Sequence, residues 1–268
     1  MPMPKRTVGF LFAIFLVLAG AVGAPIISDA QGQLKITVLY DNTVHRQGCS
    51  ADWGFACLVE GMEKTILFDT GTKSDVLLRN VERLGVDLSK TGQVVISHAH
   101  GDHTGGLLAV LPKMRGVPVY LPYSAPSALQ EGVRQAGAVA SGSKAPVMIC
   151  KDVWLTGELG EQIKEQALVV RTARGLVVIV GCSHPGIVQI LEKAKDIGKQ
   201  DLLAVVGGFH LLEHSEAAVA EIIAQFKQLG VARVGATHCT GETQIGQFRK
   251  AYGANFIEMG VGRGVIFE

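Results

Sequence analysis

The sequence lacks an excess of charge of either sign and any cluster of basic residues. Its 268 residues include 25 Lys and Arg against 24 Asp and Glu, which gives a formal net charge of +1. A nucleic-acid-binding chain uses a broad positive field or a basic block, so no nucleic-acid partner is expected. Binding of an anionic group must therefore depend on local features of the fold.

The sequence also lacks low-complexity segments and short repeats that would divide it into modules. With 48% apolar and 18% charged residues, a chain of 268 residues can bury a substantial core. We therefore expect one large α/β domain over residues 31–268, and two domains are the less favoured alternative.

Cysteines are few, and their number is odd. Five are present, so at least one thiol stays free even in an oxidising compartment. Small and polar residues separate Cys49 from Cys57, and these two are the predicted disulfide, with unpaired buried thiols as the alternative. Cys182 and Cys239 lie beside candidate metal ligands and are expected to pack against the site or tune it.

The first 30 residues differ from the rest of the chain. Lys5 and Arg6 precede an apolar run over residues 9–24, which predicts a secretory signal peptide over residues 1–30, cut after Ala30. The run is shorter than the ~20 residues that span a bilayer, so an uncleaved membrane anchor is less favoured. We expect an exported protein, periplasmic or extracellular, with no stable membrane span after cleavage.

Two strand-rich halves follow this leader. Residues 34–40 alternate as in a half-buried strand, and residues 55–59 and 65–68 predict a hairpin. Further strands are expected at residues 93–97, 117–121, 147–150, 167–171, 176–180, 202–206 and 233–237, and helices at 76–84, from about 106, at 128–135, after 185 and at 219–226. Two sheets with helices on their outer faces predict an α/β fold, a four-layer αβ/βα sandwich.

The densest polar motif ends the predicted strand at residues 93–97. Residues 95–106 read VISHAHGDHTGG, so three imidazoles and one carboxylate lie within six positions, next to two glycines. Imidazole is the commonest metal ligand in proteins and suits zinc, and an aspartate adds an oxygen ligand. Four such groups at a strand end indicate a site that can serve two ions, and a His-rich polar loop is the less favoured interpretation.

The motif resembles the His-x-His-x-Asp-His loop of the metallo-β-lactamase-fold superfamily, which binds two divalent metals. The resemblance continues at residues 66–71 (ILFDTG), 181–184 (GCSH) and 237–239 (THC). Residues 40–42, 181–186, 207–211 and 238–241 resemble the branch named for dihydropterin ribofuranosylaminobenzene phosphate synthase. The resemblance implies the metallo-β-lactamase fold, again a four-layer αβ/βα sandwich, as a single catalytic domain over residues 31–268.

The resemblance also implies two sets of metal ligands. One ion would be held by three histidines and the other by one aspartate and two histidines, in the sets His98, His100 and His184, and Asp102, His103 and His238. Two divalent ions are expected as cofactors. Zn²⁺ is the favoured metal, with Mn²⁺ and Fe²⁺ as alternatives.

Residues near these ligands have predicted roles as well. Asp69 lies in a strand-end Asp-Thr-Gly turn and is expected to accept the second N–H of a ligand imidazole, with a turn-capping role as the alternative. Asp102 is predicted to be catalytic as well as a ligand, since a carboxylate there can orient the attacking water. Asn42 is a candidate substrate contact at the mouth of the site.

One feature of the family is missing. Most members carry a bridging acidic residue after a late strand, whereas residues 206–210 read VGGFH and contain no carboxylate. His210 is predicted to replace it as a ligand, or to act as a catalytic or substrate-contacting acid, and a plain surface histidine is the less favoured alternative. With Asp102 as the only ionised ligand, two cations would keep more positive charge, which predicts an anionic, phosphorylated substrate.

The expected activity is hydrolysis of a small, phosphorylated molecule by hydroxide that the two ions generate from water. The named branch implies a transferase that joins a pterin to a phosphorylated ribose derivative, but pterin precursors are cytosolic and the predicted export argues against that role. An exported metal- or ligand-binding protein without turnover is a third alternative. A di-iron redox protein would need the missing acidic bridge, and no residue specifies a β-lactamase. The oligomeric state is not predicted.

Overall fold

A computed structural model describes residues 1–4, 33–114 and 116–268, and from Leu34 onward it contains two mixed β-sheets with helices on their outer faces. Within it, Gln31–Glu268 is one unit. Of the predicted signal peptide over residues 1–30, residues 5–30 lie outside the described residues. In the described part of the chain, no helix is both long and apolar enough to cross a bilayer.

The strands of the described residues are numbered in chain order as β1 (Leu34–Tyr40), β2 (Ala56–Glu60), β3 (Ile66–Phe68), β4 (Gln93–Val95), β5 (Pro118–Tyr120), β6 (Val139–Ser141), β7 (Val147–Cys150), β8 (Val153–Leu155), β9 (Leu168–Thr172), β10 (Gly175–Val180), β11 (Leu202–Gly208), β12 (Arg233–Thr237) and β13 (Gly264–Phe267). The α-helices are α1 (Ser74–Leu84), α2 (Gly101–Thr104), α3 (Leu107–Val110), α4 (Ser127–Gln135), α5 (Ile187–Gly198), α6 (Glu216–Gln228) and α7 (Glu242–Tyr252). Short 3₁₀ turns cover Leu88–Lys90, Leu111–Lys113, His238–Thr240 and Gly253–Asn255.

The first sheet has the order β13-β1-β2-β3-β4-β5-β6. Its β2 and β3 pair antiparallel, which confirms the predicted hairpin around Gly61. From β3 to β6 the neighbours are parallel. The carboxyl ends of β3 and β4 therefore reach the same edge of the sheet, where Asp69 and the His-rich motif follow them.

The second sheet has the order β12-β11-β10-β9-β8-β7. Strands β10, β11 and β12 run parallel, whereas β7 to β10 pair antiparallel. Because parallel strands end at one edge, His184, His210 and His238, which follow β10, β11 and β12, lie on the same side of this sheet.

Apolar side chains fill the space between the sheets and beneath the helices. The central cluster joins Val38 and Phe68 of the first sheet to Val177 and Val206 of the second. A second cluster packs α1, α3 and α4 on the outer face of the first sheet, and a third packs α5, α6 and α7 on the second. This layering confirms the predicted four-layer αβ/βα sandwich.

Five elements were not predicted from the sequence: β6, β8, β13, α2 and α7. The helix expected from about residue 106 corresponds to the short α3, and the unpredicted α2 before it carries Asp102 and His103. Between the two helices, a Cβ at Gly105 would overlap the backbone carbonyl of Thr72. The turn therefore packs directly against the loop after β3.

All five cysteines are free, so the predicted disulfide between Cys49 and Cys57 is wrong. Cys57 lies in the fully buried part of β2, and its side chain belongs to the cluster between the sheets. Cys49 lies in the loop after β1 and is half-buried. The alternation of the strand turns the Cys57 thiol into the core, where it packs as a small apolar side chain.

Candidate metal centre

The candidate ligands come from strand ends in both sheets. Residues 98–103 follow β4 in the first sheet, whereas His184 follows β10 and His238 follows β12 in the second. The two edges lie against each other, because imidazoles of the first group contact both His184 and His238. The sandwich therefore assembles the site across the gap between its sheets.

The first predicted set is brought together. One ring nitrogen from each of His98, His100 and His184 lies within 4.8 Å of the others. Ring centroids are 4.6 Å apart for His98 and His100 and 4.9 Å apart for His100 and His184. His98 is buried and His100 is exposed, so this group opens to solvent on one side.

The hydrogen bonds of His98 determine which of its nitrogens faces the group. Ser97 Oγ donates its proton to Asp69 Oδ2 at 2.7 Å, so at its 2.9 Å contact with His98 it accepts from Nδ1–H. The Nε2 lone pair then points to His100 Nδ1, 3.1 Å away. Burial, and then the charges of neighbouring rings, hold the pKa of His98 far below its usual range, which keeps the ring neutral.

The second predicted set also converges, with one addition. Donor atoms of Asp102, His103, His238 and Cys182 all lie within 4.8 Å of one another. Asp102 Oδ2 is 3.6 Å from His103 Nε2 and 3.3 Å from His238 Nε2. Burial raises the pKa of Asp102, but His238 and His103 outweigh it and hold that pKa well below the usual range, so the carboxylate is ionised.

Asp69 lies directly behind His103. Its Oδ2 accepts the Nδ1–H of the buried His103 at 2.7 Å, and its two oxygens also accept Ser97 N–H and Ser97 Oγ–H at 2.7 Å. The contact fixes the ring and leaves His103 Nε2 as the lone-pair nitrogen. Burial lowers the pKa of His103, but Asp69, together with Asp102 and Glu165, outweighs burial and raises that pKa. This is the geometry that the sequence predicts for Asp69.

Asn42 supports His238 in the same way. Its Nδ2 donates to the His238 carbonyl at 3.3 Å, and its Oδ1 lies 3.1 Å from His238 Nδ1 and also accepts Gly54 N–H. His238 Nδ1 is therefore the donor. The Asn42 side chain is thus engaged with a candidate ligand, and its contact with substrate stays a prediction. Behind it, burial raises the pKa of Asp41 to about 6.

Two buried imidazole nitrogens without hydrogen-bond partners indicate that this arrangement can bind a metal ion. Nε2 of His184 and Nε2 of His238 are buried and have no hydrogen-bond partner. His238 Nε2 lies 3.3 Å from the Asp102 carboxylate, so the two atoms are placed to share a proton or a metal ion. Burial and neighbouring rings lower the pKa of His184 to about 4, which leaves its lone pair free at neutral pH. Nitrogen, oxygen and sulfur donors in this arrangement fit a divalent-metal centre.

His210 stands apart from both sets. Its ring centroid is 4.3 Å from that of His184, and one of its ring nitrogens lies within 4.8 Å of the sulfur atoms of Cys182 and Cys239. It is exposed, and a hydrogen bond with Cys239 raises its pKa. The structure therefore places His210 at the rim beside the first set, and its catalytic or substrate-binding role stays a prediction.

Two residues of the site were missed by the sequence analysis. Trp53, in the loop before β2, donates its indole N–H to Asp102 Oδ2 at 2.9 Å. Glu165, in the segment before β9, is buried and accepts the backbone N–H groups of Cys182, Ser183 and His184 at 2.8–2.9 Å. Burial raises the pKa of Glu165 to about 7. Neither residue lies in a motif, so the sequence gives no local signal for them.

The backbone is strained where the site is built. Asp69, Ser183, His210 and His238 have φ values of 55°, 68°, 54° and 53°, in the left-handed region that non-glycine residues rarely adopt. Each follows a strand that ends at the site. Such strain persists only where the surrounding structure determines the conformation, and it is concentrated at functional sites.

Comparison with known proteins agrees with this geometry. The sequence profile of the metallo-β-lactamase superfamily matches residues 54–197. A 7,8-dihydropterin-6-methyl-4-(β-D-ribofuranosyl)-aminobenzene-5′-phosphate synthase from Methanocaldococcus jannaschii is 26% identical over 263 residues, covering 80% of this chain and 90% of the relative.

Solved structures extend the comparison. A metal-dependent hydrolase of the β-lactamase superfamily has a TM-score of 0.74 and 31% identity, over 87% of this chain and 98% of the other. A diphosphatase from the PhnP family shares the fold, with a TM-score of 0.59 and 16% identity over 88% of this chain and 97% of the other. With its matched profile, its fold and its grouped histidines, the chain belongs to the metallo-β-lactamase superfamily.

Proposed function

We propose that the chain is a hydrolase with a dinuclear metal centre that acts on a small, phosphorylated molecule. The proposal depends on one observation above all. Two groups of donor atoms converge at the junction of the sheets, and each group contains a buried imidazole Nε2 with no hydrogen-bond partner. Of the metals such donors bind, we favour zinc at both positions.

Side chains next to the candidate metal ligands would hold the ligand imidazoles in position. Asp69 fixes His103, Asn42 fixes His238 and Ser97 fixes His98, so three ligand rings are oriented before a metal arrives. When bound, divalent ions would supply a water of lowered pKa and polarise the bond to be cleaved. Asp102, ionised and open to solvent on one side, would hold and orient the attacking water.

The charge of the site supports an anionic substrate. Asp102 is the only carboxylate in either donor group. Asp41, Asp69 and Glu165 are buried nearby, but each carboxylate is already engaged with neighbouring hydrogen-bond donors. Two divalent cations would therefore exceed the negative charge of their ligands, and a phosphate group would offset the difference.

A second candidate is a transferase that acts on a phosphorylated ribose derivative. It is favoured by the 26% identity to the M. jannaschii synthase over 80% of the chain. Both candidates include a phosphorylated substrate and the same donor groups. They differ in whether water or a second organic molecule attacks.

The test combines metal analysis with a substrate panel. Protein lacking residues 1–30 would be loaded with Zn²⁺, analysed for bound metal, and assayed on phosphomonoesters, phosphodiesters, lactones and β-lactams. We expect hydrolysis of a phosphate ester that falls at least 100-fold in Asp102→Ala. Fully active Asp102→Ala, or a strong preference for neutral esters or lactams, would contradict the proposal. If His210→Ala keeps full activity, His210 has no role in the mechanism, and the rest of the proposal is unaffected.

Export is proposed on the sequence of the first 30 residues, in which a basic start precedes an apolar run. Expression of the full chain in a bacterial host, followed by fractionation and N-terminal sequencing, tests it. Periplasmic protein that begins at Gln31 is expected. Protein that keeps Met1 in the cytosol would contradict the proposal.

A further inference from the structure

We propose that Cys182 is a fourth ligand of the metal held by Asp102, His103 and His238, and that its thiolate makes this position selective for zinc. The inference depends on the metal centre of the proposed function and adds a ligand that the His-x-His-x-Asp-His pattern does not contain. It also places sulfur in a donor set otherwise made of nitrogen and oxygen.

The position of the thiol supports this. Cys182 Sγ lies 3.1 Å from His103 Nε2, and its distances to the donor atoms of Asp102 and His238 are within 4.8 Å. Zinc binds nitrogen at about 2.0 Å and sulfur at about 2.3 Å, so tetrahedral donors stand roughly 3–4 Å apart. The four atoms are thus spaced as the ligands of one ion, with small adjustments.

The hydrogen bonding of His103 indicates what lies between these atoms. Its Nδ1 donates to Asp69, so in the neutral ring Nε2 carries the lone pair and faces Cys182 Sγ. The nitrogen and the sulfur are therefore placed to share one cation. Metal binding would displace the thiol proton, which passes to solvent, and the sulfur would become a thiolate.

The loop that carries Cys182 is held rigidly. Glu165 accepts the backbone N–H of Cys182 and those of the next two residues. On the other side, a Cβ at Gly181 would overlap Ser97 Oγ, so the loop packs directly against the residue before His98. These contacts fix the backbone from which the buried thiol extends to the donor group.

A thiolate at Cys182 would also compensate for the bridging carboxylate that this chain lacks after β11. Gly208 stands at the end of β11, and a Cβ there would lie 2.7 Å from Cys239 Sγ and 3.2 Å from His238 Cδ2, so no acidic side chain fits. A thiolate from the end of β10 would supply a second negative ligand from a different strand. Sulfur favours zinc over Mn²⁺ and Fe²⁺, which prefer harder oxygen and nitrogen donors.

Cobalt spectroscopy tests the ligand without measuring activity. Co²⁺ bound by thiolate gives an intense near-ultraviolet charge-transfer band, whereas Co²⁺ bound by imidazole and carboxylate alone does not. The metal-free protein would be titrated with Co²⁺ as wild type and as Cys182→Ser, with Cys239→Ser and Cys49→Ser as matched controls. We expect the band in the wild type and both controls and its loss in Cys182→Ser.

Zinc and manganese affinities give a second readout. Cys182→Ser should weaken Zn²⁺ binding at one of two positions by at least 10-fold and leave Mn²⁺ binding nearly unchanged. A Co²⁺-loaded wild type without the band, or a band that survives Cys182→Ser, overturns the inference while leaving the metal centre intact. Failure of any metal to bind would instead overturn the proposed function. If Cys182→Ser does not fold, loss of the band in Cys239→Ser would refute the assignment and its retention would support it.

Discussion

The indole Nε1 of Trp53 donates a 2.9 Å hydrogen bond to Oδ2 of Asp102, the same oxygen that approaches His103 and His238. The two residues are 49 positions apart in the chain. The Trp53 ring also packs against the His238 ring, with centroids 4.9 Å apart, and about half of its surface stays exposed. One exposed aromatic residue thus orients two candidate ligands.

Trp53→Phe should weaken metal binding at the Asp102 side. Phenylalanine keeps the ring against His238 but removes the hydrogen bond that fixes the carboxylate, and loss of such partners costs roughly 10-fold or more in metal affinity. Competition with a chromophoric chelator measures the change. Trp154→Phe is the control, because Trp154 lies in β8 under Arg171. Equal affinities for both variants would show that the indole N–H does not position Asp102.

Asp69→Asn should reduce metal affinity by roughly 10- to 100-fold with little change in the backbone. Asparagine tolerates the left-handed conformation at this position, where φ is 55°. However, its single carbonyl oxygen cannot accept all three protons that Ser97 and His103 now donate. Metal content after dialysis against a weak chelator reports the effect. Asp75→Asn on the exposed face of α1 should retain full metal content.

Glu165 predicts a pH dependence of stability in the metal-free protein. Its pKa is raised by burial from an ordinary 4.5 to about 7, so the folded state keeps a proton that the unfolded state has released. This contribution to stability is fully present below pH 4.5 and is lost as pH rises from there to about 7, at a slope approaching ~1.4 kcal/mol per pH unit.

The comparison that isolates this group is Glu165→Gln, which cannot titrate. Urea unfolding of both proteins at intervals from pH 4.5 to pH 8 gives the difference in unfolding free energy. The wild type should lose stability relative to the variant across this range and become constant above it. A difference that does not vary with pH would show that folding does not raise the pKa of Glu165.

Gly208→Ala should lower the free energy of unfolding by roughly 1–3 kcal/mol. A Cβ at this position would lie 2.6 Å from the Gly181 carbonyl and 2.7 Å from Cys239 Sγ, and neither can move freely. Gly246 is the matched control, because it lies within α7 and a Cβ there meets no atom within 4 Å. Gly246→Ala should therefore stabilise the protein by up to about 1 kcal/mol. Equal effects of the two substitutions would contradict the steric argument.

The sequence predicts those parts of the site that depend on local spacing. Apolar runs locate β4, β10 and β12, and parallel strands end at a common edge, so histidines placed directly after them are expected to meet. Asp69 was found for the same reason, since it follows β3 in a short turn motif.

The remaining parts depend on contacts that leave no trace in local spacing. Glu165 accepts backbone N–H groups, which every residue but proline offers, so no sequence pattern identifies its partners. Trp53 reaches Asp102 through the path of a loop. At the sheet edge, β13 pairs with β1 across more than 220 residues, and its four residues are too few for a periodic signal.

The division of ligands between the sheets has a consequence for how the protein acquires metal. Each three-residue set takes two members from the motif after β4 and one from the second sheet. Neither half of the chain can therefore build a complete metal-binding position by itself. Both positions are complete only when the two sheets have packed together. Tight metal binding thus requires the complete two-sheet fold. A nascent or truncated chain would offer only two ligands of each set and would release its metal readily.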